Sequence, residues 1–155
     1  MRSVLVLLAL PSLIEAVPIS NPFLRRPGLV PFDYFPQSVA VKGKLLCNGK
    51  PYAHAKLKLY DVDTFPDVDD IMAEGRSDKK GEFHLEGCET EATVIDPKLN
   101  IYHNCNDEDV KCWRRLQIVI PDDFITEGEK ASRVFDTGII NLTAKLPAET
   151  RDCLN

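Results

Sequence analysis

The sequence predicts an all-β fold, a β-sandwich of two antiparallel sheets with seven or eight strands, Greek-key links and at most one short helix. Short segments that alternate apolar and polar residues recur between residues 39 and 146, and turn-forming residues separate them. No segment shows the roughly 3.6-residue apolar period of a long helix. These observations favour strands joined by hairpins, with an open barrel as the alternative arrangement.

The predicted strands are separated by recognisable turns. Asn48-Gly49 favours a tight turn because both residues tolerate positive φ. Residues 78–81 form a polar turn that ends in glycine, and Pro121 ends a later strand. Residues 122–130 have room for one helical turn. The predicted strands are residues 39–47, 55–60, 71–77, 82–86, 92–95, 99–102, 113–120 and 134–146.

The N-terminal residues predict export. A positively charged start, Met1-Arg2-Ser3, precedes an apolar run from Val4 to Ile14, and Ala16 supplies a small residue for cleavage. We therefore expect residues 1–16 to be a signal peptide and the protein to act in the extracellular space or at a cell surface. The alternative is a transmembrane segment, but the run is shorter than the roughly 20 residues that cross a bilayer. No later stretch is longer and equally apolar.

The rest of the chain divides into an arm, a domain and a tail. Residues 17–37 contain five prolines and no apolar period, which predicts an extended Pro-rich arm. The aromatic residues of this arm give it an alternative role in docking on the domain or on a partner. Residues 38–146 predict the β-sandwich, and residues 147–155 predict a C-terminal tail.

The charge distribution argues against nucleic acid as a partner. The chain has 19 Lys and Arg residues against 24 Asp and Glu residues, which gives a formal net charge of −5. The two signs are interspersed, and no basic stripe of the kind that nucleic-acid-binding proteins use is present in the sequence.

Five cysteines in a chain predicted to be secreted favour disulfide bonds. We expect Cys47 to pair with Cys105, and Cys112 to pair with Cys88 or Cys153. A Cys105–Cys112 bond across a short loop is the rival pairing. Because five is odd, one cysteine stays free or forms a disulfide-linked dimer. Zinc binding is disfavoured because the sequence has no closely spaced CxxC pair.

Clustered aspartates between the second and third strands are weak candidates for a cation site. Calcium requires several converging oxygen ligands, but the spacing is not that of a D-x-D-x-D-G loop. The favoured interpretation is a solvated loop in which Asp69-Asp70 caps a short helix. We expect no cofactor and no metal. The weak metal candidates are Asp61, Asp63, Asp67, Asp69 and Asp70.

The remaining candidate site residues are the three histidines and one glycosylation sequon. His54, His84 and His103 share no spacing, so each is expected to be an ordinary surface or edge residue. A nucleophile formed by His103 and Cys105 is disfavoured because an oxidising compartment would cap the thiol. The sequon Asn141-Leu142-Thr143 predicts N-glycosylation of Asn141 on an outward face.

A set of short motifs from Val41 to Leu142 carries a family resemblance. The motifs are Gly43-Lys44-Leu45-Leu46-Cys47 with Pro51, Val62-Asp63, Asp69-Asp70-Ile71-Met72, Gly81-Glu82-Phe83, Asp96-Pro97, Ile101-Tyr102-His103-Asn104-Cys105, Ile120-Pro121 and Asn141-Leu142. In this combination the chain resembles the nematode transthyretin-like family of secreted proteins. The resemblance implies a transthyretin-like (prealbumin-like) sandwich of two four-stranded sheets, secreted and often found at cell surfaces.

Two better-understood groups with the same fold differ from this sequence. The related 5-hydroxyisourate hydrolases end in Tyr-Arg-Gly-Ser, whereas this sequence ends with Arg151-Asp152-Cys153-Leu154-Asn155. Transthyretin binds thyroid hormone in a channel of its tetramer, and nothing in this sequence predicts that tetramer. A shared fold does not by itself transfer function.

The leading functional hypothesis is a secreted binding or adaptor protein. It would present loops and sheet edges to a cell-surface, lipid or protein ligand, because the sequence shows no catalytic constellation. The alternative is a small-molecule hydrolase of the 5-hydroxyisourate type, in which His54 or His103 acts with Arg114 or Arg115. A third hypothesis is a carrier of a small apolar ligand.

Overall fold

The computed structural model describes residues 34–62 and 69–154. The predicted signal peptide, residues 17–33 of the predicted arm, and two of the metal candidates, Asp63 and Asp67, lie outside the described residues. No helix within the described ranges is long and apolar enough to cross a membrane.

Ten strands and one 3₁₀ turn make up the described secondary structure. The 3₁₀ turn, Asp122–Phe124, lies within the segment where one helical turn was predicted. The strands are β1 (Phe35–Cys47), β2 (Lys50–Pro51), β3 (Lys56–Asp61), β4 (Asp70–Arg76), β5 (Glu82–Glu91), β6 (Pro97–His103), β7 (Trp113–Val119), β8 (Thr126–Glu127), β9 (Val134–Asn141) and β10 (Thr150–Asp152).

The strands form two five-stranded sheets, and this confirms the predicted β-sandwich. In the first sheet, sheet A, β1 pairs antiparallel with β2, β5 and β8 and parallel with β9. The second sheet, sheet B, is antiparallel throughout, with the strand order β10-β7-β6-β3-β4. The three shortest strands bring the total to ten, above the seven or eight that the sequence predicted.

The core lies between the inner faces of the two sheets. Alternation places one side of each strand inward, so β3 buries Leu57 and Leu59 while Lys58 and Tyr60 point away from the core. Apolar side chains of both sheets join one cluster. Its buried members are Val39, Val41, Leu45, Ala55, Leu57, Leu59, Phe83, Leu85, Leu99, Ile101, Cys105, Leu116, Ile120 and Leu142.

The first strand begins earlier than the sequence indicated. β1 starts at Phe35, so the last three residues assigned to the arm belong to the sandwich. Pro36 is tolerated because it lies at the start of the strand, where a missing N–H is least costly, and its carbonyl accepts the N–H of Gly128 at 2.7 Å. The predicted boundary at residue 38 was therefore three residues too late.

The predicted strand over residues 92–95 is absent; these residues form a connection between β5 and β6. The side chain of Gln37 substitutes for a strand partner: it donates to the carbonyl of Thr93 at 2.6 Å and accepts the N–H of Ile95 at 3.3 Å. Ile95 is buried by this arrangement. The segment was predicted as a strand because it contains Ile95, an apolar residue that points inward, but the Gln37 side chain and not a neighbouring strand bonds its backbone.

The last predicted strand and the predicted tail also differ from the structure. β9 ends at Asn141, not at residue 146. The predicted tail contains β10, which pairs with β7 through Thr150↔Arg115 and Asp152↔Trp113. Residues 150–152 of the predicted tail are therefore part of sheet B.

Candidate functional site

Two disulfides link the ends of the strands. Cys47 bonds to Cys105 with a Cα–Cα distance of 5.9 Å, and Cys112 bonds to Cys153. The first bond joins the two cysteines paired in the sequence analysis, and the second selects Cys153 over Cys88 as the partner of Cys112. Cys88 on β5 is the unpaired cysteine. Burial, together with the nearby carboxylates of Glu129 and Glu89, raises the pKa of its thiol.

The structure brings together one of the histidine–arginine pairs that the hydrolase hypothesis named. His103 on β6 lies opposite Arg114 on β7 in the antiparallel register. Both residues belong to the inward-facing set of their strands, which also contains Ile101 and Leu116. His103 has 0% and Arg114 7% of its surface exposed. This pair therefore lies inside one end of the sandwich, not on its surface.

Arg114 uses all its hydrogen-bond donors on protein acceptors. A guanidinium has five N–H groups. Two of them, on Nε and Nη2, bind the two carboxylate oxygens of Glu149. Nη1 donates to the carbonyls of Cys105 and Leu142 at 2.9 and 3.1 Å, and Nη2 also donates to the carbonyl of Ala144 at 2.7 Å. Arg114 thereby joins β7 to the segments that follow β6 and β9.

His103 completes this buried cluster without a hydrogen bond of its own. Its Nε2 lies 3.9 Å from a carboxylate oxygen of Glu149, and neither ring nitrogen has a hydrogen-bond partner among the described residues. Its ring packs edge-on against Tyr52, with centroids 6.2 Å apart. Burial, reinforced by the charge of Arg114, lowers the pKa of His103 to about 4. The imidazole is therefore neutral at physiological pH.

Glu149 is the charged partner that the cluster requires. Burial opposes ionisation of its carboxyl, but hydrogen bonds from Arg114 and from the N–H of Leu146 outweigh burial and lower its pKa. Glu149 was not among the predicted site residues, because it lies in the segment predicted to be a C-terminal tail. The one signal that could have placed it was Cys153, whose disulfide requires this segment to fold back on the domain.

The other residues of the hydrolase hypothesis lie elsewhere. Arg115 faces away from the core and pairs with Asp152, with 3.2 Å between Nη1 and the carboxylate. His54 lies before β3, and its carbonyl accepts a hydrogen bond from Arg76, which the hypothesis did not include. Among His54, His103, Arg114 and Arg115, the only histidine and arginine that lie together are therefore His103 and Arg114, and both are buried.

A groove with a volume of about 720 Å³ lies on the outer face of sheet A. Ion pairs cross the strands here: Lys42 lies 3.4 Å from Asp136, and Lys44 lies 3.7 Å from Glu82. Ile139 on β9 adds an apolar side chain that is 68% exposed. We call this the sheet A groove. It is lined by Lys42, Gly43, Lys44, Arg76, Asp78, Glu82, Phe83, His84, Asp136, Gly138 and Ile139.

The described aspartates of the proposed cation loop have separate roles. Asp61 is buried, and its carboxylate accepts the N–H of Asp96 at 2.7 Å. Asp69 pairs with Lys98 at 3.3 Å. Asp70 begins β4, so the helix expected to start at Asp69-Asp70 is a strand instead. Within residues 34–62 and 69–154, no three acidic, histidine or cysteine side chains converge as a metal site.

The sequon lies at the exposed end of β9. Asn141 is exposed, whereas Leu142 is fully buried, which places the two side chains on opposite faces. The side-chain oxygen Oδ1 of Asn141 accepts hydrogen bonds from the Thr143 hydroxyl at 2.6 Å and from the Thr143 N–H at 3.1 Å. The amide nitrogen that would carry a glycan is left available at the surface.

The fold and these sites define an all-β sandwich protein with two disulfides. Residues 42–121 match the pattern of the Transthyretin-like family. The chain is 49% identical over 119 residues to Transthyretin-like protein 5 of Caenorhabditis elegans, covering 77% of this chain and 86% of that protein. It is also 49% identical over 121 residues to Transthyretin-like protein 33 of the same organism, covering 78% and 85%. The chain belongs to the transthyretin-like family, as the sequence motifs predicted.

Among solved structures, a 9R-lipoxygenase from Cyanothece aligns with a TM-score of 0.40 and 19% identity. The alignment covers 68% of this chain and 16% of the lipoxygenase.

Proposed function

We propose that this transthyretin-like protein is a secreted binding or adaptor protein that acts through its outer surface on a cell-surface, lipid or protein ligand. The observation that carries this proposal is the contrast between the interior cluster and the surface. The only histidine–arginine pair that the fold brings together among the four hypothesised residues is buried, and Arg114 has no donor left for a substrate. The sheet A groove, in contrast, is open and partly apolar.

The disulfides support an extracellular site of action. Structural disulfides persist in oxidising compartments and are rare in the cytosol. Cys47–Cys105 and Cys112–Cys153 fix the segments that meet around Arg114, so the sandwich is a rigid support for binding residues on its faces and loops. Export by a signal peptide at residues 1–16 and glycosylation of Asn141 are parts of the same proposal.

The hydrolase alternative would need the buried cluster to open. A substrate would have to displace Glu149 or a backbone carbonyl to contact Arg114, and an unpaired buried charge is costly. The carrier alternative would need space between the sheets, where Leu57, Leu59 and Ile101 have no exposed surface. The geometry therefore favours contact at the surface over turnover or an internal ligand.

Binding of the secreted, disulfide-intact protein to intact cells and to membrane-protein extracts tests the proposal. We expect saturable binding that Ile139→Glu weakens by about tenfold, because a charge would replace the exposed apolar side chain of the sheet A groove. Val94→Glu is the matched control: Val94 is 64% exposed against 68% for Ile139 and does not line the groove. Equal effects of both substitutions, or no surface binding, would reject the groove as the site.

Mass spectrometry of the secreted, unreduced protein tests the processing part of the proposal. The expected species begins near residue 17, contains both disulfides with a free Cys88, and carries a glycan on Asn141. A species that retains residues 1–16 would contradict export by a cleaved signal peptide.

A further inference from the structure

The outer face of sheet B has a second concave surface, with a more polar lining than that of the sheet A groove. Leu99 and Ile101 of β6 point into the core, so Lys98, Asn100 and Tyr102 point outward on the central strand of this sheet. The surface has a volume of about 400 Å³. We call it the sheet B pocket. It is lined by Lys58, Tyr60, Asp69, Lys98, Asn100, Tyr102, Arg115, Gln117, Asp152 and Leu154.

The floor of the sheet B pocket is a row of polar groups that hydrogen-bond across strands. The Gln117 amide donates to the Asn100 side-chain oxygen at 3.2 Å, and the Asn100 amide donates to the Tyr102 hydroxyl at 3.4 Å. Tyr60 on β3 lies beside Tyr102, and burial, together with this neighbour, raises the pKa of the Tyr60 hydroxyl. Asn100 is 4% and Tyr102 2% exposed although both face away from the core. The longer side chains around them therefore form walls above a fixed polar floor.

Cations outnumber carboxylates in these walls by three to two. Lys58, Lys98 and Arg115 face two carboxylates, Asp69 and Asp152, whereas carboxylates outnumber cations 24 to 19 in the whole chain. Two of the cations are paired, because Lys98 lies 3.3 Å from Asp69 and Arg115 lies 3.2 Å from Asp152. The third has no carboxylate partner in the described part of the chain; the Lys58 ammonium lies 5.7 Å from the centre of the Tyr102 ring. The pocket thus keeps a local excess of positive charge on an acidic protein.

Arg115 also retains donors for a ligand. Its Nε and Nη1 donate to Thr150 and Asp152 at 3.2 Å each, and its Nη2 group has no partner within the described ranges. The neighbouring Arg114 is the opposite case, with all five donors used inside the protein. A guanidinium with a free edge is suited to bind a carboxylate or a sulfate.

We propose that the sheet B pocket binds an acidic polysaccharide, one that bears uronate or sulfate groups. Such a ligand presents anions to Lys58 and Arg115 and hydroxyl groups to Gln117 and Tyr60, the half-buried members of the polar row. Its sugar rings can enter a concave surface. A flat bilayer would match the charge but could not enter the concave surface. The inference does not depend on the sheet A groove.

Calorimetric titration of the full secreted chain with a sulfated, uronate-bearing hexasaccharide tests this proposal. The matched ligand is the same hexasaccharide after desulfation and reduction of its carboxyl groups. Lys58→Gln removes the unpaired charge at similar length, and Gln117→Glu adds a carboxylate to the floor. Lys44→Gln in the sheet A groove is the control variant, because it makes the same chemical change on the other face. Circular dichroism and thermal unfolding verify that each variant is folded.

We expect the acidic hexasaccharide to bind and its neutral counterpart not to bind. Lys58→Gln should weaken binding by about tenfold and Gln117→Glu by at least as much, whereas Lys44→Gln should change it less than about twofold. Raising the salt concentration should also weaken binding, because the contacts are between charges. The Ile139→Glu variant should bind the hexasaccharide normally, which separates this proposal from the function assigned to the sheet A groove.

Three results would overturn the proposal. The first is no binding of the acidic hexasaccharide at millimolar concentration. The second is an equal loss of binding in Lys58→Gln and Lys44→Gln, which would indicate nonspecific attraction. The third comes from vesicles that contain an anionic phospholipid: if they bind in a Lys58-dependent manner while the saccharide does not, the surface contacts a membrane instead.

Discussion

The guanidinium of Arg114 and the carboxylate of Glu149 form a two-point hydrogen-bonded ion pair, which is buried at one end of the sandwich. This pair connects β7 to the segment just before β10, and both residues lie within the stretch of chain that the Cys112–Cys153 disulfide closes. At this end of the transthyretin-like sandwich, a buried ion pair and a disulfide therefore supplement the apolar packing of residues such as Leu142.

Replacing Arg114 should strongly destabilise the fold. Arg114→Met leaves Glu149 and three backbone carbonyls without their donor, and breaking one partner of a buried ion pair costs about 3–5 kcal/mol. Arg115→Met is the matched control, because its pair with Asp152 is partly exposed and should contribute less than about 1 kcal/mol. Chemical denaturation gives the free energy of unfolding of each variant. A similar loss in both variants would contradict the structural role of Arg114.

Stability should fall between pH 6.5 and 4 because of His103. Burial and Arg114 depress its pKa from 6.5 to about 4, so the unfolded chain binds the proton more readily than the folded protein does. The contribution is fully present above pH 6.5 and is lost as the pH falls toward 4, with a total of roughly 3 kcal/mol. The charged groups around His103 are Arg114, Glu149 and Asp107.

The variant His103→Leu isolates this effect. It removes the titrating group and a buried ring without hydrogen bonds, so the free energy of unfolding should become much less dependent on pH between 6.5 and 5. The lowered pKa of Glu149 adds acid sensitivity only at more acidic pH, below its ordinary value of 4.5. If His103→Leu keeps the pH dependence of the parent protein, another group is responsible.

The two disulfides should differ in their resistance to reduction. Cys105 has no exposed surface, whereas Cys153 is exposed, so a thiol reagent reaches the Cys112–Cys153 bond first. Brief treatment with a mild reductant, followed by alkylation and peptide mapping, should label Cys112 and Cys153 before Cys47 and Cys105. Simultaneous labelling of all four cysteines would show that the sandwich opens before either bond is reduced.

Alanine at Gly81 should be much more damaging than alanine at Gly49. Both glycines have positive φ, +76° and +72°, where a side chain costs roughly 1–2 kcal/mol. A Cβ at Gly81 would also lie 2.3 Å from the carbonyl oxygen of Leu45, whereas a Cβ at Gly49 meets nothing within 4 Å. We expect losses of about 3 kcal/mol and about 1 kcal/mol in the free energy of unfolding. Equal losses would mean that backbone conformation alone accounts for both.

Strands were predicted correctly where apolar and polar residues alternate and turn residues flank the segment. β3 and β5 show this, because Leu57, Leu59, Phe83 and Leu85 alternate with charged or polar residues and are buried as predicted. The errors arose where long-range contacts replaced local signals. Pro36 is part of a strand because β5 is long enough to pair with it, and residues 92–95 are a loop because Gln37 satisfies their backbone.

The buried cluster was only partly predictable. His103 and Arg114 were named from sequence as one possible pair, but their burial depends on which face of β6 and β7 turns inward. Glu149 could not be connected to them, because its position depends on a chain reversal that follows Leu142. The sheet B pocket was not predicted for a related reason: its polar residues come from strands distant in sequence, and only the sheet order places them side by side.

The most direct test of the account is the cell-surface binding isotherm of two variants, His103→Leu and Ile139→Glu, each at physiological pH. If the protein acts by contact through the sheet A groove, His103→Leu binds like the parent protein and Ile139→Glu binds about tenfold more weakly. Normal binding by Ile139→Glu together with loss of binding by a folded His103→Leu variant would contradict the account, because the buried cluster would then be the functional site.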